Sequence, residues 1–223
     1  MDLSSAKRAA AARAVSYITD HMVVGLGTGS TANFAIEMIG ARVRSGLKIR
    51  GVPSSVSTER LAREHGVPLL SEFTRIDLTI DGADEVDENG DLIKGGGGAL
   101  TREKIVAAAS KKVIIIVDES KLVATLGAFP LPVEVLPFGW TFVRDTIEAL
   151  GPKATLRKSG DEIFLTDNQN YVLDCQFRQI DDPPKLFTNL NAIPGVVENG
   201  LFVGLTDRVI IGQADGNFEE KLL

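Results

Sequence analysis

A short glycine-rich segment stands between an apolar run and a helix near the start of the chain. Met22–Leu26 is apolar, residues 25–31 read Gly-Leu-Gly-Thr-Gly-Ser-Thr, and Ala32–Val43 has helical periodicity. Glycines let a backbone turn tightly, and the N-terminus of the helix adds positive potential to the exposed N–H groups. With the Ser and Thr hydroxyls, this pattern favours a phosphate site. The alternative is an ordinary tight turn between a strand and a helix.

Two common nucleotide-binding motifs do not fit this segment. The third glycine of GxGxxG falls at Ser30, and the second predicted strand ends in Arg50-Gly51-Val52, without the acidic residue that would bind a ribose. A Walker A loop also needs Gly-Lys followed by Ser or Thr, and that sequence is missing here. If the segment binds phosphate, it therefore does so without either of these motifs.

Strands and helices alternate through the first half of the chain. Apolar strands are predicted at residues 47–52, 76–81 and 112–117, and helices at 57–65 and 101–109. The third of these strands is almost purely β-branched, which is typical of a strand buried on both faces. This order predicts an α/β fold, a Rossmann-like doubly wound and mostly parallel sheet with helices on both sides.

The pattern changes after about residue 121. Residues 129–139 contain three prolines and are interpreted as a crossover. Residues 163–165 and 171–177 flank a turn-forming segment, which predicts a hairpin. A helix is expected to begin at Pro183, because proline suits the first helical position.

These features predict two domains. Residues 1–128 plus 203–223 would form the Rossmann-like catalytic domain, and the apolar strand Val209–Ile211 would return to its sheet. Residues 129–202 would form a second, smaller α+β domain of ferredoxin-like type.

Composition limits the functional classes. There are 24 Lys and Arg against 30 Asp and Glu, so the net charge is -6, and no basic tract predicts a nucleic-acid partner. The single cysteine, Cys175, excludes an intrachain disulfide, and two histidines make a histidine-rich metal centre implausible. The apolar runs are too short to span a bilayer, and the N-terminus does not resemble a secretory signal. We therefore expect a cytoplasmic protein that acts without a membrane.

An acidic segment follows one of the predicted strands. Asp81 closes that strand, Gly82 and Ala83 come next, and Asp84 provides a second carboxylate. The carboxyl ends of strands line the ligand crevice of a doubly wound sheet, where two carboxylates suit proton transfer or hydroxyl binding. A divalent cation site and a solvated acidic turn are the alternatives, and for Asp87 we favour the turn.

A run of four glycines lies between another short strand and a helix. A flexible linker is the usual interpretation of such a run, but its position favours a rigid loop whose N–H groups hold hydroxyl or oxyanion oxygens. A cation stands at its edge, so the segment of interest is Lys94, Gly95, Gly96, Gly97 and Gly98.

Three further charged residues lie in or directly after predicted structural elements. Glu103 lies in the first turn of the helix after the glycine run, where it could be a base or an ordinary N-terminal acidic residue. Lys121 follows a strand and could reach a phosphate, as could Lys7 from the first helix. If these groups converge at one edge of the sheet, they suit a small phosphorylated polyol.

Six segments in order resemble the type A ribose-5-phosphate isomerases. They span nearly the whole chain: Gly-Leu-Gly-Thr-Gly-Ser-Thr (25–31), Val-Pro-Ser-Ser (52–55), Asp-Gly-Ala-Asp-Glu-Val-Asp (81–87), Lys-Gly-Gly-Gly-Gly-Ala-Leu (94–100), Pro-Val-Glu-Val-Leu-Pro-Phe-Gly-Trp (132–140) and Pro-Gly-Val-Val-Glu-Asn-Gly-Leu-Phe (194–202). The resemblance implies interconversion of D-ribose 5-phosphate and D-ribulose 5-phosphate with no metal or other cofactor, in a chain that forms a homodimer.

The resemblance also implies roles for individual residues. Glu103 would be the base, and Asp81 would assist opening of the sugar ring. Asp84 and Lys94 would hold sugar oxygens, and Lys94 with the glycine amides would stabilise the enediolate. The remaining substrate-binding positions are Thr28, Gly29, Ser30, Thr31, Gly82, Ala83, Gly95, Gly96, Gly97 and Lys121.

Some features leave other hypotheses open. Gln169 stands where we expect glycine in this family, and the tail 214–220 is less typical of it. A sugar-phosphate sensor on the same fold would need the phosphate site without the base. A relative that transfers acyl groups from coenzyme A would use its glutamate as a nucleophile.

Overall fold

The computed structural model describes residues 3–223, and contacts divide them into two compact units. The first unit consists of the chain up to residue 83 with 102–122 and 205–223, and the second unit consists of 84–101 and 123–204. These units do not coincide with the predicted domains. The difference has a physical reason: residues 92–93 pair with residues 201–202 of the second unit, and residues 85–86 pair with 92–93.

The described residues contain six α-helices and fifteen strands. The helices are α1 (Ser4–Val15), α2 (Ser30–Arg44), α3 (Val56–Glu64), α4 (Leu100–Ala108), α5 (Trp140–Glu148) and α6 (Pro183–Asn191). The strands are β1 (Val23–Leu26), β2 (Arg50–Pro53), β3 (Leu78–Asp81), β4 (Glu85–Val86), β5 (Leu92–Ile93), β6 (Val113–Asp118), β7 (Leu131–Val135), β8 (Lys153–Leu156), β9 (Lys158–Ser159), β10 (Glu162–Ile163), β11 (Tyr171–Gln176), β12 (Val196–Asn199), β13 (Leu201–Phe202), β14 (Arg208–Gly212) and β15 (Phe218–Leu222).

The first unit is built on a six-stranded sheet. Its order is β15-β14-β6-β3-β1-β2, and all neighbours are parallel except the edge pair β14 and β15. The parallel strands, numbered along the chain, therefore lie in the order 2-1-3-4-5, which is one of the doubly wound arrangements and confirms the predicted fold class. In this order the winding reverses between β1 and β3, so a ligand crevice is expected at the carboxyl ends of those two strands.

Helices cover both faces of this sheet. On one face the alanine side of α1, including Ala10 and Ala14, is fully buried beside Ile36 of α2. On the other face Val106 of α4 packs with Val52. Every residue of β6 is buried, as its β-branched sequence predicts for a central strand covered on both sides.

The second unit has a four-stranded antiparallel sheet. Its order is β12-β7-β11-β8, and with α5 and α6 the chain runs in the order β-α-β-β-α-β. This is the ferredoxin-like arrangement that the sequence predicts. A separate three-stranded sheet, β13-β5-β4, adjoins it in the chain and carries the segment before the glycine run.

Two sequence-based predictions for the second unit are wrong. Residues 131–135 form strand β7, although the sequence predicts a crossover there. Pro132 has no backbone N–H, but the pairing of β7 with β12 ends at Val133, so no hydrogen bond of that ladder needs a donor at Pro132. Residues 163–165 and 171–177 do not form a hairpin. β11 pairs with β7 and β8 because its apolar side chains are buried in the sheet, whereas exposed β10 pairs with β9.

Two simpler expectations can also be compared with the structure. Cys175 is fully buried in β11, and burial raises the pKa of its thiol, as expected for an inert cysteine. Among the described helices, none combines the length and the apolar character that a bilayer crossing requires.

Asp77 stabilises the edge of the sheet where β1 begins. Its carboxylate accepts the Val23 N–H at 2.9 Å and pairs with Lys111 Nζ at 2.7 Å. The hydrogen bond from Lys111 lowers the pKa of Asp77, and the Val23 N–H lowers it further. Because the pKa is lowered in the folded state, the ionised carboxylate stabilises the fold above the unfolded pKa of about 3.9. This stabilisation is lost as the pH falls through the folded pKa.

We therefore predict that Asp77→Asn lowers the free energy of unfolding by about 1 kcal/mol at pH 7. The loss should be smaller near pH 3, where the wild-type carboxyl is becoming protonated. Urea denaturation at both pH values measures it, and Asp145→Asn, which removes an exposed pair with Arg144, is the control. An equal loss at both pH values would contradict the role assigned to the charge.

Candidate active site

The turn after β1 is held by the carboxylate that ends β3. Asp81 Oδ1 accepts the N–H of Thr28 at 3.0 Å and the N–H of Gly82 at 2.7 Å. A Cβ added to Gly27 would lie 2.1 Å from the same oxygen, so only glycine permits this close approach. The predicted meeting of the glycine-rich segment and Asp81 at one sheet edge is present in the first unit.

A cluster of hydroxyl groups supports this turn. Thr28 Oγ1 lies 2.9 Å from Ser54 Oγ, 2.8 Å from Ser55 Oγ and 3.0 Å from Thr58 Oγ1. Thr58 in turn donates to the Gly27 carbonyl at 2.9 Å. Sequence reasoning gave these partners no role, although Ser54 and Ser55 directly follow β2, at the same sheet edge as the turn.

Helix α2 begins at this turn and presents its N-terminus. Gly29 is the N-cap, and Ser30 and Thr31 are the first helical residues. Lys7 Nζ lies 2.9 Å from Ser30 Oγ, so a cation stands beside the open N–H groups of the first turn. Helix amides, a hydroxyl and a lysine in this arrangement are chemically suited to hold an anion.

A second loop follows β6, the strand beside β3. Buried Asp118 caps the short 3₁₀ turn Glu119–Lys121 by accepting the Ser120 N–H at 3.1 Å. Lys121 is half-buried at the end of this turn. Because β3 and β6 are parallel neighbours, Lys121 follows the same edge of the sheet as Asp81.

Glu103 lies in the first turn of α4 and is only 5% exposed. Residues three apart share one face of a helix, so Glu103 lies on the same face as Val106, which packs against the sheet. A helix N-terminus favours a negative charge at such a position. The structure therefore gives Glu103 the sheet-facing, buried position that a proton-transferring carboxylate needs.

In the second unit the glycine run is an ordered turn. The Gly98 N–H donates to the Gly95 carbonyl at 2.9 Å, and the Gly96 N–H donates to Asp84 Oδ2 at 2.8 Å. Gly98 has a φ of +79°, and a Cβ there would lie 2.4 Å from Cζ of Phe164. A flexible linker is therefore the wrong interpretation of this run.

Lys94 stands at the start of the glycine turn. It is 3% exposed, and its Nζ lies 5.5 Å from the centre of the Phe202 ring. The backbone N–H of Lys94 donates to the Gly200 carbonyl at 2.9 Å, and this hydrogen bond fixes the backbone directly before the turn. A buried ammonium beside an ordered turn can supply positive charge to an oxyanion.

A buried carboxylate that sequence reasoning missed holds the start of α4. Glu134 in β7 accepts hydrogen bonds from Thr101 Oγ1 at 2.5 Å, Thr166 Oγ1 at 2.9 Å and Asn170 Nδ2 at 2.8 Å. Thr101 is the second residue of the helix that carries Glu103. The sequence does not reveal the role of Glu134, because the neighbouring prolines favour a crossover over a strand at this position.

The predicted site residues therefore fall into two groups. Within the first unit the structure brings together the segment 28–31, Asp81 and Gly82, with Glu103 on a helix that covers the sheet. Within the second unit it brings together Asp84 and Gly95–Gly97, with Lys94 leading into them. Ala83 ends a segment of the first unit, directly before Asp84. Among residues 3–223, no group of three His, Cys, Asp or Glu side chains is arranged to hold a metal ion.

Comparison with known proteins adds the family. The sequence model for ribose 5-phosphate isomerase A (phosphoriboisomerase A) matches residues 50–216. Ribose-5-phosphate isomerase A of Bacillus thuringiensis subsp. konkukian is 54% identical, over 97% of this chain and 98% of that protein. The Cereibacter sphaeroides protein of the same name is 52% identical, over 96% and 90% of the two chains.

A solved structure agrees with these sequence matches. A D-ribose-5-phosphate isomerase in complex with phospho-erythronic acid superposes with a TM-score of 0.96, at 40% identity and over 100% of both chains. Sequence and fold therefore agree over nearly the whole length. The chain belongs to the ribose 5-phosphate isomerase A family.

Proposed function

We propose that this protein interconverts D-ribose 5-phosphate and D-ribulose 5-phosphate, the isomerisation of the non-oxidative pentose phosphate pathway, and that Glu103 is the base. Family membership supports the reaction. The observation that carries the mechanism is the buried Glu103 carboxylate in the first turn of α4, directly after an ordered glycine turn.

In this mechanism the carbon-bound proton moves between two adjacent carbons. Glu103 removes the proton from C2 of the open-chain aldose, and the C2–H electrons form the C1–C2 double bond of an enediolate while the negative charge develops on O1. The proton is returned to C1, O1 gains a proton, and O2 loses one as the C2 carbonyl forms. No atom or electron is gained or lost, so a base and electrostatic stabilisation suffice.

The other residues are assigned to the sugar and its phosphate. Asp81 assists ring opening, and Asp84 holds sugar hydroxyls. Lys94 and the amides of Gly95 and Gly97 stabilise the developing oxyanion, because fixed donors need not reorganise when charge appears, and the Gly96 amide contributes by holding Asp84.

The phosphate is assigned to the N-terminus of α2. The anion site formed by residues 28–31 with Lys7 supports this assignment, and Lys121 follows the same sheet edge. A phosphate there would receive helix N–H groups and lysine charge, which is the usual chemistry of such sites.

We predict that Glu103→Gln lowers kcat by a factor of about 1,000 or more while KM stays within about threefold, because the amide cannot accept the C2 proton. The measurement is NMR of ribose 5-phosphate with the purified protein in D₂O, with EDTA present. Wild type should form ribulose 5-phosphate and introduce deuterium at the exchanging carbon. Glu64→Gln, which changes an exposed carboxylate at the end of α3, is the matched control and should retain full activity.

Two outcomes would contradict this proposal. Wild-type protein that binds the sugar phosphate without exchange or product would be a sensor rather than an isomerase. A hydroxylamine-trapped glutamyl thioester, formed with an acyl-coenzyme A, would instead indicate acyl transfer.

The Ser30→Ala variant tests the phosphate site. We predict that it raises KM for ribose 5-phosphate about three- to tenfold with little change in kcat, since it removes a donor that binds substrate and transition state equally. Steady-state kinetics provide the measurement, and Ser45→Ala at the other end of α2 is the control. An unchanged KM would remove Ser30 from the site.

The homodimer and the cytoplasmic location stay predictions. Phe138, 92% exposed, and Phe142, 63% exposed and four positions later, support the homodimer, because exposed apolar patches mark protein interfaces. Light scattering at micromolar concentration should give about twice the 23.9 kDa chain mass, and Phe138→Ser should shift the mass toward that of one chain. A wild-type mass of 23.9 kDa would contradict the dimer.

A further inference from the structure

We propose that Arg157 is a positioning residue of the second unit that orients the glycine turn, so that the Gly96 N–H holds the Asp84 carboxylate and the Gly97 N–H faces the substrate oxygens. This inference rests on the proposed isomerisation and deepens it. Arg157 directly follows β8, far in sequence from the glycine run, and no pattern in the sequence singled it out.

The guanidinium of Arg157 is fixed on two sides. Its Nη1 donates to the carbonyls of Gly95 at 2.9 Å and Gly96 at 3.1 Å. Its Nε and Nη2 donate to the carboxylate of Asp174 at 3.0 and 2.5 Å. The side chain is 13% exposed, and only the rigid fork of arginine offers donors in both directions at once.

The hydrogen bonds from Arg157 to the two carbonyls determine the direction of the neighbouring N–H groups. The described peptide bonds are trans, so each N–H lies opposite the carbonyl of its own peptide unit. Because both carbonyls face the guanidinium, the N–H groups of Gly96 and Gly97 point away from it. The Gly96 N–H indeed meets Asp84 Oδ2 at 2.8 Å, on the side assigned to the sugar.

The aromatic ring of Phe164 packs against both Arg157 and the glycine turn. Arg157 Cζ lies 5.6 Å from the centre of the Phe164 ring, and that ring occupies the space beside Gly98. A cation bonded to the carbonyl of a peptide also polarises the N–H of that peptide and strengthens it as a donor. Arg157 therefore orients and strengthens two donors: the Gly96 N–H that holds Asp84 and the Gly97 N–H that would face an enediolate.

The decisive experiment compares the effect of a substitution on kcat with its effect on KM, and so distinguishes loss of transition-state stabilisation from loss of substrate binding. For Arg157→Lys we expect kcat to fall about 10- to 100-fold, since misplacing an oxyanion donor has effects of this order, with KM for ribose 5-phosphate within about threefold. The affinity for phospho-erythronic acid, whose planar carboxylate resembles an enediolate, should fall at least about tenfold. The control is Arg144→Lys. Arg144 also pairs with an aspartate and lies over an aromatic ring, but its guanidinium donates to Asp145 rather than to the glycine turn, so the variant should change none of these values.

A chemical rescue gives a readout that loss of stability cannot imitate. Millimolar guanidinium ion should restore part of the kcat of Arg157→Ala without raising its melting temperature. Full kcat in Arg157→Lys, or a loss that disappears at a temperature where the variant is fully folded, would overturn the positioning role while the isomerase proposal stands. Where Arg157→Ala does not fold, Arg157→Lys decides alone. Wild-type protein with no isomerase activity would overturn both proposals.

Discussion

The hydrogen bonds accepted by the Asp81 carboxylate hold together the turns at the carboxyl ends of β1 and β3 in the first unit. The carboxylate binds the N–H groups of Thr28 and Gly82, and so joins the turn after β1 to the turn after β3 where the winding of the sheet reverses. Without that acceptor, two N–H groups beside a glycine-rich turn would lose their partner, which costs more than the hydrogen bonds themselves contribute. The hydroxyl cluster around Thr28 and the start of α2 are positioned by the same turn.

Buried carboxylates that accept N–H or O–H groups recur throughout the protein. Asp118 caps the turn that carries Lys121, Glu134 holds the first residues of α4, and Glu85 accepts the N–H groups of Gly127 and Phe129. Each fixes a turn, a loop or the start of a helix through the N–H or O–H groups that it accepts. In the proposed mechanism rigid loops matter, because electrostatic stabilisation of an enediolate requires donors that are in place before the charge develops.

Much of the first unit could be predicted from the sequence, because its signals are local. Apolar strands, glycine turns and helices follow one another directly, and parallel order then places Asp81 beside the first turn. The second unit depends on pairing between distant residues, so β7 was hidden by its prolines and the partners of β11 were predicted wrongly. Gln169 has a φ of 65°, the left-handed conformation that explains our expectation of glycine there. No local pattern could reveal Arg157, whose partners lie 61 and 62 residues earlier.

The division of the chain between the two units also constrains how the protein is made. Strand β14, which lies between β6 and β15, belongs to the segment 205–223, after every residue of the second unit. On a ribosome, the second unit therefore has its whole sequence before the first sheet can be completed. The central strand β6 must wait with one edge unpaired while more than eighty further residues are synthesised, as its partner β14 begins only at Arg208. An unpaired apolar edge is prone to association with other chains, so nascent-chain protection matters most for this strand.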